Sequence, residues 1–406
     1  MTLDNATRSL VKSTVPVLKQ HGETLTRHFY TRMFSHNPEL KALFNQSSQQ
    51  SGRQQQALAG AVLAYAEHID NPAVLQPVLA LVANKHVSLG IRAEHYPIVG
   101  RHLLASIREV LGAAASDELI AAWAAAYGQL ADILIAEEQQ LYLSATAKSG
   151  GWSNWRSFRV ARKFSESEEI TSFYLVPADG GTVPTFRPGQ YISLRLMVPA
   201  LGMLQARQYS LSDAPGQDCL RISVKREAGS VVHPAGVISN LLHDSVLEHS
   251  LVDLAPPMGE YFLNDTDTTP VVLISAGVGI TPMMAMLEHL VRQQSTRPLS
   301  FLHACRHGGV HAFKQRLLEL PKAHAILRTM IYYENPRAID QQDSDYQHAG
   351  RLDLATLDAT YLPAHADYYL CGPRAFMQAQ AQQLRALGVL PAKIHQEAFG
   401  AGGVSG

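Results

Sequence analysis

The chain has 406 residues, and at roughly 100–200 residues per domain that length calls for two or three domains rather than one. Charged residues make up only 17% and apolar residues 46%, a globular composition able to bury large cores and unlike that of a disordered chain. Thirty-four Lys and Arg against 35 Asp and Glu leave a formal charge of −1, which removes the electrostatic footprint of a nucleic-acid or anionic-membrane binder.

Three cysteines, Cys219, Cys305 and Cys371, are too few and too scattered for a disulfide framework, a zinc site or a thiolate-held iron–sulfur cluster, and reduced thiols in a cytoplasm fit them best. The N-terminal segment has no apolar core of a signal peptide, and no run of 18 uninterrupted apolar residues occurs, so neither secretion nor a membrane span is expected.

From Thr7 to about Leu143, Ala, Leu and Gln dominate and apolar residues recur every three or four positions, which predicts successive amphipathic helices broken at Pro38, Asn71-Pro72, Pro97 and Gly112. In the stretch Val78 to Leu89, His86 falls on the stripe of Leu79, Val82 and Leu89. Taken alone it reads as a core histidine or as a ligand. In the last helix of this region Trp123, Tyr127, Leu130, Leu134 and Leu141 form an apolar stripe that includes Glu138, a carboxylate expensive to bury without partners, while Glu137 lies about 100° away and is expected in solvent. Tyr30 and Phe34 are i,i+4 neighbours, Phe44 ends a Pro-initiated segment, and Gln54, Leu58 and Tyr65 can share one helix face.

The small, polar segment Ala147-Lys-Ser-Gly-Gly151 predicts a flexible linker ahead of Trp152 and Trp155, and the expected modules are residues 1–147, a linker 148–154, then 155–266 and 267–406. Past the linker the hydropathy period switches to 2. Ile192, Leu194, Leu196 and Val198 alternate with Ser193, Arg195 and Met197, and Leu220, Ile222 and Val224 with Arg221, Ser223 and Lys225, which predicts half-buried antiparallel strands. Turns at Ala178–Gly181, Arg187–Gly189 and Ala214–Gly216 space them as a small β-barrel or sandwich requires.

From about Pro270 an unbroken apolar strand, Val271 to Ile274, runs into Ser275-Ala-Gly-Val-Gly279 and a Met- and Leu-rich helix. Continuous apolar strands alternating with helices predict a parallel sheet covered on both faces. The fold class is therefore multidomain, all-α, then antiparallel β, then α/β. Gly277-x-Gly279 between strand and helix is where a backbone can approach a pyrophosphate, although the third glycine of the dinucleotide fingerprint is missing.

Several segments together carry a resemblance. His28-Phe-Tyr30, Asn37-Pro-Glu-Leu40 followed by Phe44, Asn84-Lys-His86, Glu94-His-Tyr96 and the Glu138 helix resemble the globin domain of bacterial flavohaemoglobins. Gly150-Gly-Trp152, Arg187-Pro-Gly-Gln-Tyr191, Arg207-Gln-Tyr-Ser210, Gly277-Val-Gly-Ile-Thr-Pro282, Cys371-Gly-Pro373 and Glu397-Ala-Phe399 extend it, in order, over nearly the whole chain. The resemblance implies one haem b, one FAD, and NADH or NADPH as electron donor. His86 would be the proximal iron ligand, tuned by catalytic Tyr96 and Glu138 around its second nitrogen. Tyr30 would be the distal tyrosine, with Phe44, Gln54 and Leu58 in the haem pocket and Lys85 between haem and flavin.

For the β module the resemblance implies FAD contacts from Tyr191, Arg207, Gln208, Tyr209, Ser210, Gly236 and Ser239, with Glu397 and Phe399 near the flavin. For the α/β module it implies NAD(P) contacts from Gly277, Val278, Gly279, Ile280, Thr281, Pro282, Cys371, Gly372 and Pro373. The implied activity is nitric oxide dioxygenation, NO and O2 giving nitrate at a haem that FAD re-reduces from NAD(P)H, in a cytoplasmic monomer. A haem gas sensor or O2 carrier, and a flavin or peroxide reductase, are the rival readings. Arg306, past the next apolar strand, can pair with a 2′-phosphate or simply be solvated, and NADH with tolerance for NADPH is expected. The tail Gly400–Gly406 is flexible by composition.

Overall fold

A computed structural model describes residues 3–44, 49, 51–230 and 234–399. The expectation for the tail at 400–406 lies outside the described residues. The chain divides into two compact units: residues 1–155 with the hairpin 195–207, and residues 156–194 with 208–399. The sequence suggests three modules. The β and α/β modules merge because they share apolar packing, with Ile170, Tyr261 and Leu263 in the same buried cluster as Met283, Met286 and Phe301.

The first unit holds helices α1 (Asn5–Ser13), α2 (Val15–His36), α3 (Arg53–Glu67), α4 (Gln76–Leu89), α5 (His95–Leu111) and α6 (Asp117–Ala147). Local chemistry sets their ends. The Asp4 carboxylate accepts from Thr7 N at 2.7 Å to cap α1, and Ser116 caps α6, whose first turn carries Asp117 and Glu118 against the positive end of the helix dipole. Gly90, at φ 78°, stops α4 in the left-handed conformation that glycine adopts without a side-chain clash. Pro97 does not separate two helices. It occupies the first turn of α5, where its missing N–H costs no hydrogen bond. Helix α6 is long and apolar enough by composition to cross a membrane, and its Leu119, Trp123, Ala126 and Leu134 are buried in the helical core.

The expected flexible linker is folded against the end of α6. Trp152 is buried, its indole N–H donating to Asn154 O at 3.2 Å, and a Cβ on Gly151 would lie 2.0 Å from Ala145 O. Glycine here permits close backbone approach rather than mobility.

Strands β1 (Arg156–Ser165), β2 (Ile170–Pro177), β3 (Tyr191–Val198), β4 (Met203–Ser210), β5 (Leu220–Lys225) and β6 (Leu251–Leu254) form an antiparallel sheet in the order β4-β3-β6-β1-β2-β5. A bridge from Leu211 to Ile222 joins its two ends and closes a barrel. The expected half-burial forms only in part: Met197 is exposed and Arg195 and Lys225 are half-buried, but Ser193, Arg221 and Ser223 are buried along with their apolar neighbours. Hydrogen bonding makes this affordable for Arg221 and Ser223, whereas Ser193 Oγ is buried without a partner among the described residues. Ser223 Oγ lies 2.7 Å from Ser172 Oγ and 2.8 Å from Ser212 Oγ, and Arg221 Nε donates to Ser212 at 3.2 Å.

In the α/β part, β7 (Val271–Ala276), β8 (Leu299–Cys305), β9 (Leu327–Tyr333), β10 (His348–Ala349), β11 (Asp367–Cys371) and β12 (Ile394–Glu397) make a parallel sheet in the order β10-β9-β8-β7-β11-β12. Every residue of β7 and β11 is buried, as strands covered on both faces must be. The order reverses between β7 and β11. That switch point opens a crevice at the carboxyl ends of the strands, the standard ligand position in such sheets.

Candidate functional site

In the helical unit α4, α5 and α6 bring His86, Tyr96 and Glu138 together. Nδ1 of His86 donates to Glu138 Oε1 at 2.7 Å and lies 3.2 Å from the Tyr96 hydroxyl, which itself donates to Glu138 at 2.5 Å. Glu138 is buried, so the carboxylate expected to be expensive on its stripe has two donors. Burial and the adjacent carboxylate hold the Tyr96 hydroxyl protonated, far above its ordinary range. Glu137 lies at the surface and accepts from Gln76.

The second nitrogen of His86, Nε2, has no partner among the described residues, and the side chain remains 31% exposed. An imidazole anchored through Nδ1 with Nε2 free is the donor arrangement a haem iron requires. The set fits haem. Lys85 precedes His86 on α4 and is half-buried.

A second cluster surrounds Tyr30 on α2. Its ring stacks on Phe34 at 5.7 Å and meets Phe44 edge-on at 5.6 Å, and it is buried. Burial raises the Tyr30 hydroxyl well above its usual range, opposed by hydrogen bonds with Gln54 and Gln49. Leu58, one turn on from Gln54, packs against the same core. A cavity of about 290 Å³ opens beside Tyr30 and Phe34, with Arg27 and Lys41 also lining it. Tyr65 serves packing, its hydroxyl donating to Ala126 O at 2.9 Å.

Residues Arg207, Gln208, Tyr209 and Ser210 end strand β4. Tyr191 opens β3, and a Cβ on Gly259, at φ 119°, would come within 3.0 Å of its ring. Gly236 caps helix α7 (Val237–Asp244), and Ser239 Oγ donates to its carbonyl at 3.1 Å. The N-terminus of this helix is suited to a pyrophosphate, and the polar end of β4 is chemistry suited to FAD.

At the switch point, Gly277 to Gly279 form the turn from β7 into α8 (Ile280–Arg292). Gly277 is left-handed at φ 53° with open space where a Cβ would point. A Cβ on Gly279 would lie 2.2 Å from Cys371 O and 2.7 Å from Gly372 N, so only glycine lets the two loops meet. Val278 and Ile280 fill the turn, Thr281 Oγ1 donates to Val278 O at 3.0 Å, and Pro282 sits in the first helical turn. Cys371, Gly372 and Pro373 lead from β11 into α9 (Arg374–Ala386), and Glu397 is in register with Cys371 across β12. This crevice fits a nicotinamide dinucleotide. The Cys371 thiol is pushed well up by burial and by Glu397. Phe399 is exposed, as an aromatic at the end of the described chain.

Sequence reasoning missed several supporting residues. Tyr127 donates to Tyr96 O at 2.7 Å, and Gly100 makes room for its ring, a Cβ there falling 2.5 Å from Tyr127 Cε1. Gln49 beside Tyr30 carries no motif signal. Arg306 is largely exposed and ion-paired with Glu169.

The globin family model matches residues 27–134, and the oxidoreductase NAD-binding domain model matches residues 273–382. The chain is 59% identical over 400 residues to a flavohemoprotein of Bordetella parapertussis, covering 98% of each chain, and 50% identical over 398 residues to that of Rhizobium meliloti, again 98% of each. A crystal structure of flavohemoglobin from Malassezia yamatoensis with bound FAD and heme superposes with a TM-score of 0.85 at 30% identity, over 98% of this chain and all of that one. The flavohem-like FAD/NAD-binding domain of nitric oxide dioxygenase from Vibrio cholerae matches 60% of this chain and 98% of its own at 41% identity and a TM-score of 0.55. Helical haem pocket, closed barrel and parallel-sheet crevice thus occur in one chain in a known order, and this chain belongs to the flavohemoprotein family, oxidoreductases that combine a haem-binding globin with FAD- and NAD(P)H-binding modules.

Proposed function

We propose that the chain is a nitric oxide dioxygenase that converts NO and O2 to nitrate at the expense of NAD(P)H, removing NO under nitrosative stress. The carrying observation is the His86–Tyr96–Glu138 cluster with a free Nε2, in the same chain as a dinucleotide crevice. When bound, haem supplies the iron at which the gases react, and FAD converts hydride into single electrons.

The protein's own part is preorganisation. Glu138 keeps the Nδ1 proton of His86 in place, orienting the ring and making Nε2 a stronger donor. Tyr96 fixes Glu138. Tyr30, with its hydroxyl kept protonated by burial, presents an O–H donor to the gas-binding face, and Phe44, Gln54 and Leu58 shape that face. In the reductase, Tyr191, Arg207, Gln208, Tyr209, Ser210, Gly236 and Ser239 would hold FAD, with Glu397 and Phe399 beside the flavin. Residues 277–282 and 371–373 would receive the nucleotide. Free thiols at Cys219, Cys305 and Cys371 support a cytoplasmic location, and the core role of α6 argues against a membrane span.

The test is anaerobic reduction with NADH followed by O2 and then NO, monitoring the Soret band and nitrate. Repeated turnover with near-stoichiometric nitrate is expected. Tyr30→Phe should lower NO turnover by roughly 10-fold or more through loss of a charge-stabilising donor, at unchanged flavin reduction. A stable oxygenated form that leaves NO unconsumed would overturn the reading in favour of an O2 carrier.

A further inference from the structure

Two arginines follow neighbouring strands of the nucleotide-binding sheet. Arg306 is one residue past β8, and Arg337 lies four residues past the end of β9. The strand ends stay paired beyond the sheet, with Glu334 N donating to Cys305 O at 2.9 Å and Asn335 N to Arg306 O at 2.8 Å. In open sheets of this type, the end of the strand next to the glycine-loop strand is where the adenosine ribose is read, an acidic side chain taking the 2′-hydroxyl and an arginine taking a 2′-phosphate.

Both arginines are already engaged by consecutive glutamates in the β1–β2 turn of the barrel. Arg337 grips Glu168 through two hydrogen bonds, 2.5 Å to Oε1 and 2.9 Å to Oε2, and Arg306 donates to Glu169. A backbone bond supports the contact: Glu168 N donates to Gly309 O at 2.9 Å, and a Cβ on Gly309 would fall 2.2 Å from Glu168 Oε1 and 2.7 Å from Arg337 Nη1, so a side chain there would press on the ends of the pair. Arg337 also meets His307 Nε2 at 3.0 Å. Glu334, one residue past β9, adds a third carboxylate at the same edge, held by Arg351 at 2.9 Å.

We infer that Glu168 and Glu169 are specificity-determining positioning residues that mask Arg306 and Arg337 from a 2′-phosphate and so set a preference for NADH over NADPH. The inference rests on the NAD(P)H-reductase reading of the crevice. A 2′-phosphate approaching either guanidinium meets a carboxylate already in its place and repulsion from the pair, whereas a neutral 2′-hydroxyl meets neither penalty and has Glu334 as an acceptor. The four side chains are partly exposed, so water and salt screen the effect to about tenfold rather than thousands.

The test uses the full-length holoprotein and two probes, adenosine 2′,5′-bisphosphate and 5′-AMP, with binding followed by calorimetry. E168Q/E169Q should tighten the bisphosphate about tenfold and leave 5′-AMP within about twofold, and R306A/R337A added to it should abolish the gain. In steady state the double variant should lower the KM for NADPH, with kcat for NADPH nearly unchanged. Equal strengthening of both probes, or no change in either, overturns the masking role, because loosening of the loop alone favours neither nucleotide. Single E169Q, a smaller perturbation, should show part of the same shift if the double variant is unstable. Flavin reduced by neither nucleotide in the wild-type protein would instead sink the reductase reading, and the inference with it.

Discussion

Two histidine sites lie on apolar ground in this chain, and they are solved in opposite ways. His86 is tied by Nδ1 to a buried carboxylate, its other nitrogen has no partner among the described residues, and the side chain stays 31% exposed. His303 and His311 stack at 5.3 Å inside the α/β module and are sealed, His303 against Ser275 at 2.9 Å and His311 against the Tyr333 hydroxyl at 2.9 Å. Both sealed rings are buried, and among the described residues no carboxylate reaches either of them. A carboxylate anchor on a partly exposed ring is the arrangement a ligand needs, and hydroxyl partners plus full burial make a neutral core pair, even though Nε2 of His311 is likewise without a partner among the described residues. Burial alone, the property that periodicity reports, does not separate them.

The comparison breaks most sharply at His86→Ala. The variant should purify without haem, with no Soret band, while retaining FAD and NADH-driven flavin reduction, because His86 and the nucleotide crevice belong to separate units. Haem bound normally by this variant would remove the ligand assignment.

The sealed pair should show itself as acid sensitivity. Desolvation pushes His303 down to about 3 and His311 well below its usual 6.5, with Lys314 adding to the shift on His311. Lowered values mean that the native state refuses protons the unfolded chain accepts, so stability is lost as pH falls through 6.5, by up to about 1.4 kcal/mol per pH unit for each ring. Denaturant unfolding of the reductase at pH 7 and pH 5.5 measures this. His311→Gln should flatten the slope, and an unchanged slope would count against the neutral pair.

These effects also mark what the sequence made legible. Glu138 was visible because a carboxylate interrupts an apolar stripe, and Gly277 and Gly279 because glycines follow a strand that admits no polar residue. The closing of the barrel and its polar seam were not visible, since serines at alternating positions look solvent-facing until Ser172, Ser212 and Ser223 meet across strands. Ion pairs between Glu169 and Arg306, and between Glu168 and Arg337, join residues 137 and 169 positions apart, beyond any local pattern. Gln49 carries no motif signal, and the place of Tyr127 on an apolar stripe gave no hint that its hydroxyl would donate to Tyr96 O.

Within the haem cluster, Glu138→Gln should cost more than any single donor to it. The amide keeps one acceptor but loses the charge that both His86 and Tyr96 address, a buried loss of about 1–3 kcal/mol. The globin should melt earlier and the haem midpoint potential should rise, as His86 becomes a weaker donor. An unchanged potential would mean that Glu138 is structural only.

Tyr96→Phe is the smallest of these perturbations and the most discriminating. The ring can stay where it is, edge-on to His86 at 6.2 Å, and Tyr127 still holds the main chain at residue 96 through its carbonyl. Only the hydroxyl is lost, and Glu138 keeps its bond to His86 Nδ1, so stability should fall by about 1 kcal/mol. If Tyr96 works by fixing Glu138, the shift in haem potential should have the same sign as that of Glu138→Gln and be smaller, and the Glu138→Gln/Tyr96→Phe double variant should resemble Glu138→Gln alone. Additive shifts would instead assign the hydroxyl a direct effect on His86, 3.2 Å away, independent of the carboxylate.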